Sequence, residues 1–251
     1  NDTICSGQNI NIALSSTTAG TTYTWTASNG AGVSGGQNSA APSSTINQAL
    51  TNNSTSVGIV TYTVTPSASS CAGTPLQVLA YVNPVAVVGP FNPIVVCPGV
   101  TITPPTFVSN PNGAIFGWSN TNAQIGLAVS GNGQIASWIA PANTNNNAPG
   151  TIVGTVTVTP TFNACPGTPA SFAVTINPTP TITNSPLTQT ICSGANSTLV
   201  SWTPNAAGTS YAWTGVASSG TVTGYSATGN GNLPAMAIIN GSISVQTVTY
   251  T

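Results

Sequence analysis

Five cysteines, at positions 5, 71, 97, 165 and 192, and one acidic residue, Asp2, are where chemistry would have to start in this 251-residue sequence. Paired thiols can oxidise to disulfides. A single carboxylate cannot supply the partnered acid and base of hydrolytic catalysis, and the sequence contains no Lys, Arg, Glu or His. The many Ser and Thr hydroxyls have no imidazole or side-chain amine to activate them, so they read as polar surface. Calcium and magnesium sites gather several carboxylates and zinc sites gather clustered Cys, His and carboxylates. One Asp and widely spaced cysteines provide neither. Nucleic-acid binding leans on Lys and Arg against phosphate, and here there are none. The expectation is a protein with no catalytic residue, no metal, no cofactor and no nucleic-acid partner.

The elements that hold these residues must be strands. Apolar residues make up 40% of the sequence, with five Trp and six Tyr, which is enough to build cores and argues against disorder. Val, Ile, Thr and Tyr abound, while 26 Gly and 20 Pro interrupt the chain every few residues. Ile10, Ile12 and Leu14 alternate with small or polar neighbours, as do Tyr23 and Trp25, and Tyr62 and Val64; Leu76 to Val82 forms a further strand. Period-two patterning with frequent turn signals predicts antiparallel β-sandwiches. The longest apolar runs, such as Ile94-Val95-Val96, fall far short of the roughly 18 residues of a membrane span.

An internal repeat organises the chain. Cys5-Ser6-Gly7, Cys97-Pro98-Gly99 and Cys192-Ser193-Gly194 recur at intervals of 92 and 95 residues, and Trp25, Trp118 and Trp213 follow their cysteines by 20, 21 and 21 residues. Thr61-Tyr62-Thr63-Val64-Thr65-Pro66 returns as Thr155-Val156-Thr157-Val158-Thr159-Pro160, and Cys71-Ala72-Gly73-Thr74-Pro75 as Cys165-Pro166-Gly167-Thr168-Pro169. Asn83-Pro84 and Asn177-Pro178 close the copies. Three domains are expected: 1–84, 85–178 and an incomplete third at 179–251, truncated before its last strand. By the same spacing the closing cysteine of the third copy falls near position 259, so the sequence reads as a window onto a longer protein and leaves Cys192 unpaired.

Cysteines at matched ends of each copy predict disulfides Cys5–Cys71 and Cys97–Cys165, tying loop to loop near one end of each sandwich. The alternative is reduced, buried thiols. Disulfides imply an oxidising, extracellular location. Trp25, Trp118 and Trp213 are expected as core anchors between two sheets. Trp138 and Trp202, outside the shared position, are candidates for stacking on a neutral sugar, with packing the competing role. The Asn-x-Ser/Thr triplets at Asn52, Asn53, Asn196 and Asn240 are read as turn chemistry.

Taken in order, the Cys-Ser-Gly opening, Tyr-Thr-Trp-Thr, Thr-Tyr-Thr-Val-Thr-Pro, Cys-x-Gly-Thr-Pro and the closing Asn-Pro resemble the PKD-like immunoglobulin-fold repeats of large Bacteroidetes surface adhesins, among them the gliding-motility type. The second copy departs from the pattern at Phe116-Gly117-Trp118-Ser119 and at Val156. The resemblance implies tandem immunoglobulin-like sandwiches arranged as a rod, export by type IX secretion, and a place on the bacterial cell surface. It also implies partners of three kinds: neighbouring repeats or other copies of the chain, the secretion machinery, and a neutral polysaccharide or abiotic surface. Asp2-Thr3-Ile4 is similar to the short O-glycosylation signal of that phylum, which makes Thr3 the candidate acceptor. A self-assembling extracellular fibre, sheath or layer is the competing function.

Overall fold

The computed structural model describes residues 1–143, 150–184 and 187–251. Strands dominate; among the described residues the only helix is the 3-10 turn Ala123–Ile125, and no helix is long and apolar enough to cross a membrane. The chain divides into two compact units, one formed by Asn1–Val95, Thr101–Ala140 and Val153–Thr175, the other by Val96–Val100, Pro141–Ile152 and Ile176–Thr251.

The first unit opens with nine strands: β1 (Asp2–Cys5), β2 (Asn9–Ala13), β3 (Thr22–Asn29), β4 (Val33–Ser34), β5 (Thr45–Ala49), β6 (Thr51–Asn52), β7 (Gly58–Ala68), β8 (Cys71–Ala72) and β9 (Leu76–Asn83). One sheet runs β1-β9-β7-β3, with β8 also pairing β7; β2 and β5 form a second sheet, and β4 and β6 a small ribbon. The alternation seen in the sequence becomes the two faces of each strand. Along β7, Gly58, Val60, Tyr62 and Val64 are buried, while Ile59 is exposed and Thr61 and Thr63 are half-buried. Ile10 of β2 and Ile46 of β5 are fully buried in one cluster with Trp25, Val60, Tyr62, Ala80 and Val82. Removing each such aliphatic side chain from water stabilises the sandwich by about 1.5–3 kcal/mol. All ladders here are antiparallel except β1 on β9, which is parallel and brings Cys5 opposite Asn83.

A second sandwich follows without a linker of any length. Its strands are β10 (Val87–Val88), β11 (Ile94–Val96), β12 (Thr101–Ile102), β13 (Ser109–Asn110), β14 (Ile115–Asn120), β15 (Ser130–Asn132), β16 (Trp138–Ile139), β17 (Ile152–Phe162), β18 (Cys165–Pro166) and β19 (Ala170–Ile176). The main sheet has the order β11-β19-β17-β14-β15, with β18 on β17, and the pairs β10-β13 and β12-β16 complete the fold. Ile102, Phe107, Ile125, Val156, Val158, Phe172 and Val174 are buried. Phe91 packs on Phe107 and Phe172, both at 5.6 Å between ring centroids.

In the second unit, β20 (Ala212–Ala217) lies between β22 (Thr228–Asn230) and β24 (Val248–Tyr250), and β21 (Val222–Thr223) pairs with β23 (Ile239–Asn240). Trp213 packs edge-on against Tyr250, with centroids 5.5 Å apart. The architecture is a tandem of immunoglobulin-like antiparallel β-sandwiches.

Candidate functional site at the junction of two sandwiches

The first unit contains one disulfide, and it corrects the sequence expectation: Cys5 is bonded to Cys165, with Cα atoms 5.5 Å apart, and not to Cys71. Cys97 is not bonded to Cys165 either; Cys71, Cys97 and Cys192 are free and exposed. Strand direction gives the reason. Because β1 runs parallel to β9, Cys5 lies level with Asn83, at the end of the sheet where β7 begins with Gly58 opposite Val82. Cys71 sits on the hairpin at the other end, opposite Ala68. Ten residues of extended strand separate those two levels, about 33 Å at roughly 3.3 Å per residue. A disulfide needs Cα atoms within about 7 Å, so the two cysteines of this copy cannot meet.

Backbone and side chains around the Cys5–Cys165 bond form a continuous junction. Ser6 N donates to Asn83 O at 3.0 Å, and Asn163 Nδ2 donates to Asn83 Oδ1 at 3.0 Å. Thr168 N donates to Ala86 O at 2.8 Å, and Val87 bridges Thr168 in parallel. Asn83, Pro84 and Ala86 are buried, so the connection between the sandwiches is itself packed. Gly167 is required at this approach, since a Cβ there would stand 2.1 Å from Ala86 O.

Asn163 and Ala164 form the tight turn between β17 and β18, with φ of 48° and 64°; Ser69 and Ser70 take the same two values between β7 and β8. Positive φ at both central residues marks the hairpin turn whose twist suits antiparallel strands. Each turn is followed by the same closure, Gly73 N to Pro66 O at 2.8 Å and Gly167 N to Pro160 O at 2.7 Å. The opening cysteines also share a turn. Gly7, Gly99 and Gly194 have φ of 86°, 79° and 83°, and the residue three beyond each cysteine donates to its carbonyl.

Trp25 and Trp213 are buried and Trp118 is half-buried, each on the strand that the repeat assigns it. Trp25 Nε1 donates to Gln37 O at 3.0 Å. Trp118 and Trp213 instead lie against glycines of a Gly-Asn-Gly segment, where a Cβ on Gly131 or Gly229 would come within 2.2 or 2.1 Å of the ring. Their Nε1 atoms have no hydrogen-bond partner among the described residues. The sequence reading passed over these glycines, although Gly131-Asn132-Gly133 and Gly229-Asn230-Gly231 recur after their Trp at similar distances.

Trp138 and Trp202 are half-buried, and their indole N–H groups donate to Ile125 O at 2.8 Å and Gly231 O at 2.9 Å. Asn52 is a buried bracket: Nδ2 donates to Ser56 O and Val82 O, both at 2.7 Å, and Oδ1 accepts from Ser54 N and Oγ. Asn240 repeats the arrangement with Ser242 and Ser244. Thr3 is exposed on β1 opposite Tyr81, and its N–H donates to Asp2 Oδ1 at 2.8 Å.

No set of three or more His, Cys, Asp or Glu is gathered as metal ligands among the described residues. An open groove of about 400 Å³ is lined by Gly89-Pro90-Phe91, Pro105, Thr106 and Val108, an apolar and hydroxyl surface without a titratable group. Among the described residues the strongly shifted ionisation is structural: burial pushes the Tyr62 phenol up to about 12, and its hydroxyl donates to Gln48 Oε1 at 2.8 Å.

Residues 2–86 match the family model of the PKD-like domain. That PKD-like segment carries the opening cysteine, Trp25, the free Cys71 and the Asn83-Pro84 exit described above. Solved structures similar to the chain include DIP-gamma IG1+IG2, 11% identical over 70% of this chain and 93% of that one, with a TM-score of 0.35. Mouse Cadherin-23 EC22-24 is 12% identical over 99% of this chain and 89% of its own, with a TM-score of 0.38. Protocadherin Gamma B7 extracellular cadherin domains 1-4 are 11% identical over 99% and 72%, with a TM-score of 0.37. No curated protein sequence matches the chain.

Proposed function

We propose that this chain is a non-enzymatic repeat region, a stalk or filament, of a large bacterial cell-surface adhesin. Its three PKD-like copies lie at 1–84, 85–178 and 179–251. The observation that carries the reading is the junction. Two consecutive sandwiches are joined by a buried connection, a disulfide and an inter-sandwich hydrogen bond from Asn163 to Asn83, which is construction for carrying load and reach. A strand of 11 residues such as β7 makes each copy on the order of 35 Å long. The disulfide favours an extracytoplasmic setting, and a sequence without Lys or Arg offers trypsin-like proteases no site.

Gliding motility or surface attachment, with export by type IX secretion, is the finer form of this proposal and rests on the motif resemblance. Antibody raised against residues 1–84, applied to living cells of the source organism and followed over time, tests it. Long surface label that moves along the cell is the expected result, and absence of surface label overturns the reading. The competing function, lateral assembly into a static layer or fibre, draws on exposed apolar residues such as Leu76, Val108, Ile115 and Val129 in a chain with almost no charge to hold copies apart. Sedimentation velocity separates the two: a concentration-independent monomer favours the stalk, and polymerisation favours the layer.

A further inference from the structure

We propose that the cysteines of this repeat pair one copy out of register, so that every opening cysteine bonds the closing cysteine of the next copy and each junction of a longer array carries its own disulfide. Cys97 is then the attachment point for a closing hairpin of the following copy, and Cys71 receives the opening cysteine of the preceding one. This deepens the proposed function and rests on reading the chain as consecutive copies of one unit.

The only disulfide among the described residues shows the offset. Cys5 opens the first copy and Cys165 closes the second, while the within-copy partners are held at opposite ends of the sheet by the parallel β1–β9 pairing. The unbonded cysteines occupy equivalent positions. Cys71 sits on a hairpin with the same turn dihedrals and the same Gly-to-Pro closure as Cys165. Cys97 begins the same glycine turn as Cys5, and Asn177 N donates to Val96 O at 2.9 Å, which places it beside the Asn-Pro exit of β19 as Cys5 lies beside Asn83. Both thiols are exposed, as attachment to a neighbouring copy requires. Within-copy geometry therefore denies Cys71 a partner, and the Cys5–Cys165 bond shows what a cysteine in its position pairs with.

Formation of each bond breaks two S–H bonds and makes one S–S bond. The S–S bond of a disulfide oxidant such as glutathione disulfide breaks at the same time, and the two protons and two electrons given up by the cysteines end in its two product thiols.

The test extends this chain at Thr251 with a second copy of Val64–Pro84, which continues the strand Val248–Tyr250 and supplies a closing cysteine at position 259. The extended chain is refolded with glutathione disulfide as oxidant, alkylated, digested with pepsin and mapped by mass. The expected result is a peptide joining Cys97 to the added cysteine, with Cys5–Cys165 retained and Cys71 and Cys192 alkylated. Cys97→Ser then exposes the added thiol to alkylation, and Cys192→Ser leaves the bond in place. A bond from the added cysteine to Cys192, or an alkylated added cysteine beside an intact Cys5–Cys165, overturns the proposal. If the added segment does not fold, a map of the native protein taken from cells decides: Cys97 bonded to the closing cysteine of a following copy supports the register, and Cys97 found free or bonded to Cys165 refutes it. Either map can fail while surface labelling succeeds, so the register and the stalk function stand or fall separately.

Discussion

Removing the Cys5–Cys165 bond should cost this chain about 4 to 5 kcal/mol of stability, and the structure allows that figure to be worked in two ways. If both sandwiches unfold together, the bond closes a loop across a separation of 160 residues, worth about 5 kcal/mol at 25 °C in the chain-entropy model. If the second sandwich unfolds alone, Cys5 stays fixed beside Asn83, and the loop that remains runs from there to Cys165. That loop of about 80 residues is worth about 4.5 kcal/mol. Unfolding the first sandwich alone gives nearly the same length, because Thr168 holds the chain at Ala86. The order of unfolding therefore hardly changes the result. Urea denaturation followed by Trp fluorescence should show the loss in Cys5→Ser, in Cys165→Ser and in the reduced parent chain. Both variants delete the same bond, so the double variant should cost no more than the dearer single one. Cys71→Ser should leave the transition where it is. A loss below about 1 kcal/mol for Cys5→Ser, additive single variants, or a large effect of Cys71→Ser would each refute the pairing and the argument from strand direction.

Four further outcomes are expected. Gly131→Ala presses a methyl into the Trp118 ring and should destabilise by about 1–3 kcal/mol in thermal unfolding, while Gly117→Ala, with nothing nearer than 3.8 Å, should cost less. Asn52→Ala leaves the buried Val82 carbonyl and the Ser54 amide without their partner and should cost roughly 1–3 kcal/mol by chemical denaturation. The raised Tyr62 ionisation stabilises the fold fully below pH 10 and loses that contribution as pH climbs from 10 towards 12; Tyr62→Phe should flatten this part of a stability-against-pH curve. Unfolding midpoints in 0.05 M and 1 M sodium chloride should differ little, because a single charged side chain leaves almost nothing to screen, and a steep salt dependence would contradict that account.

Strand composition and faces were legible in the sequence because burial on a pleated sheet writes itself as alternation: Tyr23 and Trp25, and Tyr62 and Val64, all turn inward where the period-two pattern puts them. The cysteine partners were not legible. Spacing along the chain says that Cys5 and Cys71 bracket a copy, but it does not carry strand direction, and the parallel placement of β1 on β9 is what sends them to opposite ends. The glycines under Trp118 and Trp213 escaped for a related reason. A Gly in a Gly-Asn-Gly segment reads as a turn, and only the pairing of Trp118 with Gly131 shows that the missing side chain makes room for a ring. Asn52 was read as turn chemistry, and the structure adds that its side chain is buried and joins the end of β6 to β9.

A chain without basic residues has to fix one domain on the next without ion pairs, and the junction shows how that is done. Its contacts across the boundary are a covalent bond and a neutral amide pair between Asn83 and Asn163, and a main-chain bond from Thr168 to Ala86 holds the connecting segment on the second sandwich. None of these depends on ionic strength, whereas exposed salt bridges weaken as salt rises and contribute little even at low salt. The hydrogen bonds hold orientation but are individually worth only about 1 kcal/mol, so under pulling force they would open one at a time. The disulfide changes that sequence of events. With Cys5 bonded to Cys165, the Asn83–Asn163 contact can open without letting the sandwiches separate, and the two amides remain positioned to re-form it. An array built this way would keep its length in fresh water, in brine and under load, for the same reason that it needs no charge to do so.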